Sequence, residues 1–360
     1  MSNEFITKEF TQILQKVVME VVNDPTTYIG SRYLPSTAVP TDEIFVDVIE
    51  ATGGLTNQHV IGTQPKYIQR FGVRTQAFKP PAYKEAVRLD EKDILHLRKL
   101  GANDRSQRGV RNYVDKIVDQ LDRRVEARIE YERWNTIFTG GFDYLGATIS
   151  YGFPSQNRAV PVGALWSLDS INANAAANPL IDIRYWTMGG YAPFRKYKIT
   201  KMIMNPNTER WILDNANTRA FISSIGANPV FGQFDLNAVL KFAIPGAPSV
   251  EVYKGWYQEQ VQDGNKTTVG NAIYFIPDGM IYFECSLPDG DMIGEFVQGI
   301  HLAGGTIDQP AYGKFLVVDD NTAPGTKGGP ANPYLDLVSG VYGGVKFDRP
   351  FDVLTAKVIA

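Results

Sequence analysis

The run Ser106–Phe138, SQRGVRNYVDKIVDQLDRRVEARIEYERWNTIF, constrains this chain more than any other stretch. It holds no proline, has a polar start at Asp104 and Ser106, and stops at Thr139-Gly140-Gly141. Val110, Val114, Ile117, Leu121 and Val125 recur in steps of three and four, the spacing of one helix face. The other side interleaves carboxylates and bases, Asp119 with Arg123 and Glu126 with Lys116 further back. Such a helix would reach about 50 Å, longer than a small domain is wide. The apolar seam loses its register after Val125, and Gly-rich β-type sequence follows at once. Both features argue against a coiled-coil arm and for a spine along which a β-rich body is laid.

At 360 residues the chain can bury a sizeable core and is expected to make two folding units. A net charge of −3 gives no electrostatic case for gripping nucleic acid, so any basic feature must be local. The single cysteine, Cys285, excludes intramolecular disulfides and cysteine-built metal sites. No run approaches the roughly 20 apolar residues of a membrane span, and MSNEFITKEF lacks the blocks of a signal peptide. The expected setting is a cytoplasm.

Thr7 to Val22 reads as an amphipathic helix whose apolar face carries Phe10, Leu14 and Val18 and needs a cover. Asn23-Asp24-Pro25 ends it, and with the irregular segment holding Pro35 and Pro40 it makes an N-terminal arm. Glu43 to Glu50 has strand character. Ala51 to Val87 is the least globular part; with Arg88 it carries Lys66, Arg70, Arg74, Lys79 and Lys84 against Glu85 alone. A connection this long is uncommon inside a compact domain, and its alternating pattern favours an extended hairpin that needs a partner. Asp90 to Leu100 is read as a short helix.

Beyond the spine, Tyr144 to Phe153 reads as one strand, Ser155 to Val162 as a loop and the segment around Asp182 as a helix. Lys198 to Met204 is a buried strand and Thr208 to Asn217 a helix. Ser249 to Glu284 is β, turning at Asp263-Gly264-Asn265. Lys314 to Val318, Leu335 to Tyr342 and Phe351 to Ile359 complete the strands.

Chemistry is thin. His59, His96 and His301 lie near no serine, cysteine or carboxylate in a mechanistic motif, and His59 and His96 are expected at the surface. Cys285 is expected as a packed thiol. No phosphate-binding glycine motif is present. Asp289 and Asp291 with Glu295 do not match an EF-hand spacing. Neither an enzyme, a cofactor nor a metal site is expected. Surface that asks for neighbours stands out instead: the arm, the basic hairpin, and aromatics such as Trp256 and Tyr257. Contacts in several directions suit a lattice of heterologous interfaces.

The order of parts, with Trp166-Ser167, Asn178-Pro179 and Asp182-Ile183, then MIMNPNTERWIL (Met202 to Leu213), VEVYKGWYQEQ (Val250 to Gln260), FIPDGMIYF (Phe275 to Phe283) and FDRPFDV (Phe347 to Val353), resembles the major capsid proteins of tailed bacteriophages. The details are similar to the lambda-type group, the phage major capsid protein E family. The resemblance implies an α+β, HK97-like capsid fold: an N-terminal arm (1–40), a peripheral domain (41–165 and 335–360) with an extended loop (51–87) and spine helix (106–138), and an axial domain (166–334).

It further implies a self-assembling head protein of hexamers and pentamers in an icosahedral shell enclosing phage DNA. The partners implied are itself, a scaffolding protein, a portal and a decoration protein, in a virion assembled in the host cytoplasm. Lys66, Arg70, Arg74, Lys79, Lys84 and Arg88 would be inter-subunit contacts of the loop; Phe10, Leu14 and Val18 would be those of the arm. Lambda-type relatives make no Lys–Asn cross-link, so none is expected at Lys66 or Lys79. The alternatives are an encapsulin-type compartment around a cargo enzyme and an unrelated β-rich ligand-binding module.

Overall fold

The computed structural model describes residues 28–41, 43–50, 72–89, 104–144, 147–166, 177–224, 235–263, 266–286, 292–301, 311–321 and 334–359. The helices expected at Thr7–Val22 and Asp90–Leu100, the loop interior 51–71, His59, His96, Asp289 and Asp291 lie outside them. Two compact units emerge. One draws on Met1–Val46, Gln76–Arg133 and Glu295–Lys346, the other on Asp47–Thr75, Trp134–Gly294 and Phe347–Ala360.

The long helix spans Asp104–Thr139, enclosing the expected spine. In the first unit Val114, Val118 and Leu121 bury one face with Leu89 and Leu337, and Ile117 packs at the margin. The seam does not lose register after Val125: Ile129 continues it, and both are buried. What interrupts the pattern is polar residues taken into the interior, Glu130, Glu132 and Arg133. Gly140 ends the helix with φ +74°, a conformation a side chain would resist, and its N–H donates to the Thr136 carbonyl.

The sheet of this unit is built on the strand Tyr334–Phe347. Ala82–Leu89 and Lys314–Asn321 pair with it antiparallel, Leu337 standing opposite both Val87 and Val318. Gly294–Gln298 also joins it, and Ser36–Ala38 adds in parallel, Ser36 opposite Phe296. Ala82–Leu89 alternates exposed and half-buried residues, as a strand with one covered face should. Part of the expected loop, 82–87, is therefore a sheet strand. Its other strand, Gly72–Phe78, pairs with Ile44–Glu50 in a separate two-stranded ladder. The Glu126–Lys116 pairing is not made. Glu126 and Asp122 both meet Lys314, because residues ten apart on a helix are separated by nearly three turns.

The second unit centres on a mixed sheet in the order Arg158–Ala159, Leu354–Lys357, Met280–Ser286, Lys198–Met204, Ser249–Val252. Helices Pro179–Thr187, Pro206–Asp214, Ala216–Ser224 and Leu236–Ala243 belong to the same unit. Three begin on a capping side chain: Asn178, Asn205 and Asp235 accept from the backbone N–H groups of Ile181, Thr208 and Asn237. Ile183, Trp186, Ile212 and Leu240 join Met202, Met204, Ile281, Phe283 and Leu354 in one core. Trp134, also fully buried, lies 5.9 Å from the Tyr253 ring and 6.0 Å from that of Tyr282.

Three expectations change here. The helix read at Thr208–Asn217 ends at Asp214, and Asn217 belongs to the next helix, Ala216–Ser224. The single strand at 144–153 is a hairpin, Gly141–Tyr144 against Ala147–Ser150, since Tyr144 stands opposite Ala147. The loop at 155–162 contains a short strand, Arg158–Ala159, held parallel to Leu354–Lys357. Residues 264 and 265 of the turn read at 263–265 lie outside the described residues; on either side Asp263 faces Lys266 across the strands Trp256–Asp263 and Lys266–Tyr274.

Candidate assembly surfaces

Of the arm and loop residues named from sequence, Phe10, Leu14, Val18, Lys66 and Arg70 lie outside the described residues. Arg74 belongs to the strand Gly72–Phe78. Lys79 is exposed in the link to Ala82–Leu89. Lys84 and Arg88 lie on that strand and hold their own sheet. Arg88 grips Asp336 with two bonds, Nε to Oδ1 at 2.9 Å and Nη2 to Oδ2 at 2.8 Å, across a facing pair of the ladder. Lys84 Nζ lies 4.8 Å from the Tyr342 ring centre.

The polar groups buried near the helix end are tied down. The Gly30 N–H donates to Glu130, Tyr83 Oη to Glu132 Oε1 at 3.0 Å, and Arg133 Nη2 to Ser36 Oγ at 2.8 Å. Arg128 reaches Glu132 from the helix surface at 2.6 Å. Burial, and then the charge of Glu132, push the Tyr83 phenol well above its ordinary value. These carboxylates are engaged as acceptors and ion-pair partners, a structural use.

Burial, then Asp352 and Glu284, push the Cys285 thiol up to about 12, so it stays protonated at neutral pH. His301 is buried, its ring centre 4.7 Å from that of Phe315. Among the described residues no three His, Cys, Asp or Glu side chains are placed to hold a metal ion.

Asp182 organises a different kind of surface. Its Oδ1 accepts the Val162 N–H and its Oδ2 the Trp166 Nε1–H, each at 3.0 Å. Asn178 caps the helix that carries it, Pro179 opens the first turn, and Ile183 is fully buried. The Trp, Asn-Pro and Asp-Ile positions thus meet in one knot, with the Trp166 and Trp186 rings stacked 6.2 Å apart. Sequence reasoning picked out these residues but not the bonds between them; an indole N–H and a carboxylate both due for burial were the available signal. Beside the knot Ile181, Tyr185 and Met188 are exposed, as are Val160 and Val162 on the adjoining loop.

The family model for phage major capsid protein E matches residues 11–314. No curated protein sequence matches. Among solved structures, the chain is similar to a prophage protein of E. coli CFT073 described as a capsid protein. Identity there is 15%, over 97% of this chain and 99% of the other, with a TM-score of 0.53. A phage-related protein from Bordetella bronchiseptica RB50 gives 10% identity over 95% and 96% of the chains, TM-score 0.47. The encapsulin complex of Synechococcus elongatus PCC 7942 gives 13% over 95% of each, TM-score 0.38. At these identities the first likeness is one of fold.

Proposed function

The chain belongs to the phage major capsid protein E family, and from that membership we propose that it is the shell subunit of a tailed-phage head, forming the hexamers and pentamers of an icosahedral lattice around packaged double-stranded DNA. Its fold is a mixed α+β one of the HK97-like capsid kind, and its role is structural, not enzymatic. The observation that carries the reading is the family match over 11–314, which includes the long helix and most of both units.

In this reading 41–165 and 335–360 form a peripheral domain, 166–334 an axial one, and 1–40 an arm that lays Phe10, Leu14 and Val18 on a neighbour. The loop reaches the adjacent subunit with Lys66, Arg70, Arg74 and Lys79, setting register more than raw affinity. Lys84 and Arg88 were expected among these contacts; their bonds within their own sheet give them an internal role as well. Interface energy comes mainly from buried apolar and aromatic area. A wall at net charge −3 confines DNA without gripping it. A scaffolding protein, a portal and a decoration protein complete assembly in the host cytoplasm, and the product is the virion.

Electron microscopy with light scattering on the purified protein tests this. Closed shells or hexamer-sized rings are expected, and DNA-filled particles from infected cells separate a phage head from a cargo compartment. A monomer that stays one with its scaffolding protein added would overturn the reading.

A further inference from the structure

The helix Pro179–Thr187 is apolar on both sides. Leu180, Ile183 and Trp186 face the core, while Ile181, Tyr185 and Met188, at spacings i, i+4 and i+7, face outward with 58%, 39% and 52% of their surface exposed. An outward apolar stripe on a helix whose other side is already in the core is expected to be covered in a finished structure. Asp182 holds exposed Val162 next to this stripe, and exposed Arg184 lies on the same helix. Exposed apolar side chains this closely grouped mark an interaction surface.

The same unit carries a second surface with exposed apolar residues, this one bearing an exposed acid, Glu259. Strands Trp256–Asp263 and Lys266–Tyr274 form a ladder of their own, with Trp256 facing Tyr274 and Tyr257 facing Ile273. Neighbours along a strand alternate faces, so exposed Trp256 and exposed Ile273 lie on opposite sides of the ribbon. A two-stranded ribbon with apolar residues on both faces is marginal alone. Among the described residues Arg184 makes no ion pair, and exposed Glu259 on the ribbon is an acid that could meet it. Within one chain both surfaces stay exposed, so they do not cover each other.

We propose that the stripe Ile181, Tyr185 and Met188 is covered by the 256–274 hairpin of a second copy of this chain, Arg184 facing Glu259. Each copy then gives one surface and receives the other, the heterologous contact that closes rings. This inference rests on the capsid reading and goes beyond it by naming the contact.

The test uses two full-length chains in a Cys285→Ser background, one with Tyr185→Cys and one with Trp256→Cys, co-assembled and oxidised. A 185–256 linked dimer that forms only from the mixture, and only in particles, is expected. Arg184→Glu or Glu259→Arg alone should lower particle yield about tenfold, and the two together should restore it. Particles that form without the mixed link would overturn the inference and leave the capsid reading standing. That outcome would follow if the segment 7–22 or another protein covered the helix; a 185–185 link would overturn it equally. No particles from the unaltered chain, with scaffolding protein supplied, would overturn both.

Discussion

Gly30 and Glu130, 100 residues apart in sequence, meet in the interior of the first unit, the Gly30 N–H donating to Glu130 Oε1 at 2.9 Å. Glu130 is fully buried and also faces Arg133 at 3.5 Å. A β-carbon on Gly30 would lie 2.5 Å from Glu130 Oε2. Gly30→Ala should therefore cost about 1–3 kcal/mol through overpacking. Glu130→Ala, which removes the buried partner of a guanidinium, should cost about 3–5 kcal/mol. Urea unfolding of the two variants checks both values; an unchanged midpoint for Gly30→Ala would mean the contact is not tight.

Leu121 lies with Val118, Leu89 and Leu337 in the apolar cluster of the helix. Leu121→Asp places a carboxylate there with no partner and should cost more than about 4 kcal/mol, enough to leave insoluble chain. Arg123→Ala, two positions on, removes an exposed pair with Asp119 and should change stability by less than about 1 kcal/mol. Soluble yield and melting temperature separate the two.

Lys314 bonds to Asp122 at 2.9 Å and to Glu126. Burial lowers its ammonium pKa, but the two carboxylates outweigh that and hold it above the ordinary lysine value. Because folding raises this pKa, the pair's contribution is complete below about 10.4 and is lost as pH rises through the folded value. Lys314→Met should cost about 3 kcal/mol from pH 7 to about 10, and the gap to wild type should narrow above that. A gap that narrowed below pH 9 would contradict the assignment.

Burial raises the Asp182 carboxyl above its ordinary range, and the bonds from Trp166 and Val162 offset only part of the shift. The sign is opposite to that of most folded carboxylates. Its charge costs stability at neutral pH, and that cost disappears as pH falls towards about 4. Asp182→Asn, which must give up one of two accepted bonds, should cost about 1–3 kcal/mol. The deficit should grow between pH 7 and pH 4, as thermal melts across that range would show.

Replacing 51–71 by a short Gly-Ser turn joins Ile44–Glu50 directly to Gly72–Phe78, strands that already pair. The product should fold, keep the near-ultraviolet circular dichroism of the parent and form no closed shells. Normal particles from it would remove the loop from the assembly reading. The cut spares Ala82–Leu89, whose loss would instead disrupt the sheet.

Much of this was readable in residue order where the determinants are local. The long helix announced itself by spacing and Lys198–Met204 by its apolar run. Long-range partners were not readable. Glu130 and Arg133 look like surface residues until Gly30 and Ser36 are brought to them. Lys314 was invisible as the partner of Glu126 because 188 residues separate them. The hairpin at 141–150 was merged into one strand because both arms read as continuous β sequence.

The strand Tyr334–Phe347 stands between Ala82–Leu89 and Lys314–Asn321 and supplies Leu337 to the apolar face of the long helix. A ribosome finishes that helix some 200 residues before it reaches Leu337, a delay of about 10–40 s at ordinary elongation rates. Throughout that interval the helix has Leu89, made before it, but lacks Leu337 from its apolar cluster. The apolar cluster of the first unit is therefore completed only once Leu337 has been made, however early its helix is synthesised.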